Sequence, residues 1–274
     1  MTDAAIETFL ELAREPVVIT GFIQILIATV LAALVLGVVY VRNLDFEREV
    51  LTTSGRGLVQ IVAAGAVIGI LLAAHLAWAT LVLAFMIGVA GWISHKRGEA
   101  IPGVFRTSVL SISFGAGLTI VAMTFAGAIE ATMRDLIVIG SMIIANSMKT
   151  NSLVLDRFTG ELAANRSEIE TMLSVGGSPE QAINQYVSTS VYASIIPILD
   201  SIKSLGIVQI PGLMAGMIIA GANPIYAAQY QFVIMLMIFA AAGLTVVVNT
   251  VLISRRVFTD AQQLDDQVVD AISE

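Results

Sequence analysis

The chain has 274 residues, 57% of them hydrophobic and 13% charged, with a mean hydropathy of +0.89. A soluble domain carries about 25% charged residues, so a water-soluble globule is excluded and lipid must solvate much of the surface. The net charge of −7 offers no basic patch for nucleic acid, and the absence of cysteine removes disulfides, thiolate metal sites and cysteine nucleophiles together.

The first sixteen residues are acidic (Asp3, Glu7, Glu11 and Glu15 against Arg14), the wrong sign for the start of a signal peptide. The apolar run that follows reads instead as a first membrane span. A crossing takes about 20 mostly apolar residues. Six stretches meet that length: Val17–Val41, Gly57–His75, Ala77–Ile93, Val104–Ala128, Leu136–Leu155 and Ala228–Ile253. A seventh, about Ser190–Val208, carries Asp200 and Lys203 inside it. A charge at a helix centre costs ~2.5–3.5 kcal/mol on the insertion scale, so this span is not bathed in plain lipid. The Gly- and Met-rich segment Pro211–Pro224 is too short to cross and is predicted to be re-entrant or interfacial. The expected fold is an all-α polytopic membrane protein of about seven transmembrane helices, one domain over 1–274.

Basic residues set the expected orientation. With the N-terminus outside, Arg42, Arg48, Arg56, Lys96, Arg97, Arg106, Lys149, Arg157, Arg166, Arg255 and Arg256 all fall inside, eleven of fourteen. Arg14 and Arg134 lie outside and Lys203 within the membrane. The positive-inside rule then favours an outside N-terminus and a cytoplasmic C-terminus in the plasma membrane, the inner membrane of a bacterium. The tail 259–274 is acidic and polar and reads as a frayed end.

The one long polar stretch between spans, 156–189, has internal grammar. Ser167 followed by Glu170 reads as a capping box opening a helix through Val175. Gly176-Gly177 ends it, because glycine takes the left-handed conformation freely. Ser178, Pro179, Glu180 and Gln181 form a second start, with Ser at the N-cap and Pro at the first helical position. Two short helices joined at an angle by a tight glycine turn are expected.

Within the spans, Asp200 and Lys203 are three apart and share a helix face. They read either as a pair that orders the helix against its neighbours or as residues lining a pathway. Pro197 stands one turn earlier and could kink the helix. Asn146 reads as an interhelical hydrogen-bond former, with a place on the translocation pathway as the other reading, and Lys149 as a snorkelling side chain. Gly65/Gly69 and Gly212/Gly216 read as close-packing pairs. Methionines such as Met142, Met148, Met214, Met217, Met235 and Met237 read as packing residues, and no set of side chains has metal-ligand spacing.

Two stretches resemble known families. Glu170 to Gly176 has the E-x-x-x-x-x-G skeleton of the coupling loop of ABC-transporter permeases, with Thr171 and Met172 where two alanines are usual. Further on, Pro197, Asp200, Ser201, Lys203, Gly206, Pro211, Gly212, Met214, Gly216, Gly221 and Pro224 resemble the FetB/YbbM-type ABC permease family. That family includes bacterial iron-export permeases and a plant aluminium-tolerance half-transporter. The likeness runs from about Asn146 to Gln231, with an echo at Arg56, Gln60 and Gly65. It implies a metal-exporting permease that works as a homodimer with a separate ATPase subunit. Glu170, Gly176, Gly177, Ser178, Pro179 and Gln181 would then dock into the ATPase. Asp200, Lys203 and Asn146 would sit on the pathway, and Pro197, Pro211 and Gly212 at its hinges. The chain has no Gly-Lys-Ser/Thr and hence no P-loop of its own, so no cofactor is expected in it and ATP would bind the partner. A secondary transporter or channel remains the alternative. An intramembrane enzyme finds no histidine pair, G-x-S-x-G or H-E-x-x-H to support it.

Overall fold

In lipid a backbone N–H or C=O finds no water, so apolar runs must satisfy themselves as helices. The computed structural model, which describes residues 16–41, 47–71, 76–259, 261–265 and 268, is built of helices with no strand among the described residues. They are α1 (Pro16–Val41), α2 (Glu47–Leu71), α3 (Ala77–His95), α4 (Val104–Phe125), α5 (Met133–Ala164), α6 (Arg166–Ser174), α7 (Pro179–Ser204), α8 (Gly212–Ile219) and α9 (Pro224–Ser254). The seven long helices overlap the seven expected spans, with α2 and α7 each beginning about ten residues early. The chain divides into two compact units, Met1–Ala74 with α1 and α2, and His75–Glu274 with α3–α9.

In the larger unit α5 is the central post, packed against α3, α7 and α9. Its register against α3 is constant: Leu83 meets Gly140, Ser94 meets Asn151 and Gly98 meets Leu155. The two helices therefore run parallel. α4 runs antiparallel to α5, with Ile120 near Gly140 and Ser108 bonded to Asn151. It is also antiparallel to α9, with Gly115 against Thr245 and Pro102 against Arg256. Among the described residues, α3 (continued to Gly98), α4 and α9 are long and apolar enough to cross a membrane by themselves. α5 is more polar because protein covers it: Ser147, Thr150 and Asn151 are all buried. A helix sheathed by other helices need not be apolar on every face.

Several expectations are corrected. The stretch 156–189 does not form two short helices, since its first part continues α5 to Ala164 and its last part is the first turns of α7. Only α6 is free-standing. Its N-cap is Asn165, not Ser167, with no side-chain cap, and Glu170 pairs instead with Arg166 at 2.7 Å. The second start is as expected: Ser178 and Gln181 form a reciprocal capping box, with Pro179 following the cap. α7 stops at Ser204, where Leu205 turns extended and Gly206 takes φ 77°. Asp200 and Lys203 therefore occupy its last turns and not the middle of a span. The helix runs unbroken through Pro197.

The tail is not frayed over its described part. Leu264 and Val268 are buried with Val257, Phe158, Leu162 and Ile169 in a second core at the α6 end of the bundle. The glycine pairs also behave differently from expectation. A Cβ at Gly65, Gly212 or Gly216 would meet nothing within 4 Å, whereas Gly91, Gly115 and Gly140 abut neighbouring helices.

Candidate functional site

The turn between α6 and α7 is fixed by backbone bonding. Gly177 N–H donates to Met172 O at 2.9 Å and Gly176 N–H to Leu173 O at 3.1 Å, the paired bonds of a Schellman ending. Gly176 pays no steric penalty for its φ of 90°. Gly177 is needed for space, since a Cβ there would stand 2.8 Å from Met172 O. The capping box begins α7 one residue later. The chain thus passes from α6 to α7 within four residues, closed on one side by the paired glycine bonds and opened on the other by the capping box.

One side of α6 is held down by Ile169, which is fully buried among Phe158, Leu162, Ile183, Tyr186 and Leu264. Burial first, then a hydrogen bond to the Glu168 carboxylate and the charges of Glu168 and Glu161, pushes the Tyr186 phenol above its ordinary value. The other side faces outward: Met172 is 43% and Val175 76% exposed. They form a small apolar knob beside the turn. A groove of about 530 Å³ lies beside it, lined by Glu170, Leu173, Gly176, Gly177, Gln262 and Gln263. A second, of about 560 Å³, lies between the start of α7 and the end of α9, lined by Pro179, Ile183, Val187, Arg255, Phe258 and Gln262 among others. The C-terminal segment separates them, folded back by Thr259 N–H to Gln263 O and Asp265 N–H to Val257 O. Sequence reasoning missed this wall. The four-residue spacing of Leu264 and Val268 in an acidic tail was the available signal.

All six expected contact residues, Glu170, Gly176, Gly177, Ser178, Pro179 and Gln181, meet at this turn. The remaining candidates lie elsewhere. Asp200 and Lys203 form an ion pair at 3.3 Å, but their side chains are 63% and 75% exposed. They do not order α7 against another helix of this chain. Lys203 stands in the last turn of α7, where a cation complements the helix dipole. Pro211 precedes α8 and Gly212 is its first residue. Asn146 makes no interhelical bond among the described residues, its Nδ2 donating to Met142 O of its own helix at 2.8 Å. The interhelical role falls to Asn151, whose Nδ2 donates to Ser94 Oγ at 3.1 Å and Ser108 Oγ at 3.0 Å. Among the described residues no three His, Asp or Glu gather as a metal site. Met235 and Met237 are buried in the main core, with Met142 and Met148 packed against it.

Comparison with known proteins adds the family. A model described as an uncharacterised protein family, UPF0014, matches residues 22–258. The chain is similar to the protein named probable iron export permease protein FetB of Escherichia coli K12, with 29% identity over 239 residues, 87% of this chain and 92% of that one. It is 30% identical over 253 residues to protein ALUMINUM SENSITIVE 3 of Arabidopsis thaliana, 92% and 93% of the two chains. To the UPF0014 membrane protein YjkA of Bacillus subtilis strain 168 it is 34% identical over 219 residues, 80% and 88%. No solved structure matches it.

Proposed function

The chain belongs to the UPF0014 family of membrane proteins, and from that premise we propose that it is the membrane-spanning subunit of an ABC transporter that exports a metal ion. Energy would come from a separate ATPase subunit. The observation that carries this reading is the anchored α6 knob with its Schellman turn and capping box. A short helix stapled to the bundle on one side and apolar on the other suits a cleft in a cytosolic partner. It is also rigidly joined to helices that enter the membrane, which a mechanical coupling needs. The name of the E. coli relative supports export and iron.

Two copies of this chain with two ATPase subunits would form the working unit, since two-fold assemblies are the commonest homo-oligomers. The exposed Asp200–Lys203 pair and the exposed Ile207, Val208 and Ile210 just after it in sequence support a second copy or a pathway at the outer end of α7. Co-expression with the ATPase encoded nearest to this chain's gene should yield a complex whose mass fits two of each subunit. Its ATP hydrolysis should exceed that of the ATPase alone, and vesicles containing it should move ferrous iron in an ATP-dependent manner. A stable complex with a single copy of this chain overturns the dimer. A chain that transports without any ATPase is a secondary transporter.

The same reading puts α6 in the cytoplasm and the N-terminus outside. The native chain lacks cysteine, so single cysteines report directly. Ala5→Cys should react with an impermeant maleimide from outside, and Ala164→Cys only after the membrane is opened. The reverse pattern inverts the topology.

Asp200→Asn should leave ATPase binding intact, because it lies at the far end of α7 from the turn. It breaks a solvent-exposed pair worth roughly 0.2–1 kcal/mol, so the fold should tolerate it. A transport defect out of proportion to any loss of protein would put Asp200 on the pathway. Wild-type transport would leave it a helix-end pair.

A further inference from the structure

Buried polar groups nearly always find partners inside a protein or in ordered water. Here Ser147 Oγ, Asn151 Oδ1 and both amide atoms of Asn249 are buried with no hydrogen-bond partner among the described residues. They belong to facing helices. Asn151 is tied to Ser108 on α4, and Gly140 meets Ile120 on the same helix, so Ser147, one turn from Asn151, is level with Ser111 of α4. The contacts of Gly115 with Thr245 and of Pro102 with Arg256 bring Asn249 to that same level from the α9 side. Ser111 is itself fully buried. Two independent readings of the helix register thus converge on one polar level of the bundle.

A second feature adjoins it. Residues Ser113–Gly117 of α4 form a π-helical turn, and such turns occur where a helix gives up regular bonding at functional sites. The unpaired set contains acceptors and a donor together. Asn249 alone presents an N–H and a C=O, whichever way its amide is turned. A bare cation could face the oxygens but not the N–H. Water serves both.

We propose that Ser147, Asn151 and Asn249 form an internal water-binding site joining α5 to α9, beside the π-turn of α4. A water-bridged contact between two helices can be remade a fraction of a turn away, which a dry interlocked contact cannot. Helix α5 leads directly towards α6, so the site lies where displacement of that helix would be taken up. The site itself does not depend on the transport reading.

The test uses the full chain purified in lipid nanodiscs. Asn249→Leu keeps the side-chain shape but abolishes both polar atoms. It should lower the apparent melting temperature by about 3–6 °C. Asn249→Ser keeps a hydroxyl and makes room for another water, and should stay within about 2 °C of wild type. Hydrophobic packing alone predicts the opposite ranking, and a Leu variant more stable than wild type would mean a dry site and overturn the proposal. Adding Asn151→Leu to Asn249→Leu should cost less than Asn151→Leu does alone, because the shared water is already gone; strict additivity also overturns it. If melting depended on whether sodium or potassium were present, the occupant would be a cation and the assignment to water would fall. Should Asn249→Leu not accumulate, a cryo-electron microscopy map of the wild-type chain resolving buried waters decides. Solvent density within hydrogen-bond reach of Asn249 supports the site, and none there rejects it.

Discussion

Gly176→Val is expected to abolish the stimulation of ATP hydrolysis by this chain while leaving the membrane bundle folded. The φ of 90° at Gly176 lies in the region that costs a residue with a Cβ roughly 1–2 kcal/mol, and a β-branched side chain fits it worst. Nothing lies within 4 Å of a Cβ built there, so the effect is conformational and not a clash. Relaxing φ to a negative value breaks the bond from Gly177 N–H to Met172 O and swings α6 away from the start of α7. The main core, which holds α3, α5 and α9 together, contains no residue of α6 or of the turn. Insertion and accumulation should be near normal, while hydrolysis in the presence of the variant should fall to that of the ATPase alone. Asn tolerates the left-handed region better than Ala or Val. Activities in the order Gly, Asn, Ala, Val would identify the cause, and full coupling by the Val variant would remove the turn from the docking surface.

Gly115→Val should do the opposite, destroying the bundle itself. A Cβ at Gly115 would press on Thr245 Oγ1 and come within 2.5 Å of Ala241 O and 2.7 Å of Thr245 N. Two of these three atoms are backbone of a buried helix and cannot rotate away. Overpacking a core costs about 1–3 kcal/mol when side chains can yield, and here they cannot. The variant should fail to accumulate in the membrane, and Gly115→Ala should already lower the melting temperature by several degrees. Gly117, two residues on in the same π-turn, has nothing within 4 Å, so Gly117→Ala should melt as wild type. Equal behaviour of the two alanine variants would mean that α4 and α9 do not approach as described.

The spans were legible because membrane burial leaves its mark on composition alone, and the turn because Gly-Gly followed by Ser-Pro-x-Gln has few conformational readings. The capping box at Ser178 and the left-handed Gly176 were both available from residue chemistry. Helix continuity was not. Hydropathy separates apolar from polar stretches, but a helix feels no boundary where lipid gives way to water, so α5 and α7 run on through it. Asp200 was placed in mid-span for the same reason, its helix having begun eleven residues before the apolar run. Ser167 misled because a capping pattern cannot compete when the chain before it is already helical to Ala164. The glycines failed in an informative way: GxxxG spacing tells of a smooth surface, but only the three-dimensional register decided that Gly115 and not Gly212 meets a neighbour. The polar level of Ser147, Asn151 and Asn249 was hidden because it is assembled from two helices about 100 residues apart in sequence.

The continuity of α7 has a mechanical corollary. Its 26 residues make a rod roughly 39 Å long at 1.5 Å per residue, running without a break from the Ser178 cap to the Asp200–Lys203 pair. Pivoted at one end, a swing of about 5° carries the other through about 3 Å, enough to exchange one set of neighbours for the next. The one elastic joint along it is Pro197, which has no N–H to give to the preceding turn and sits just short of the charged pair. Force applied at the glycine turn would therefore travel undamped along most of the lever and be released as bending in its last turns.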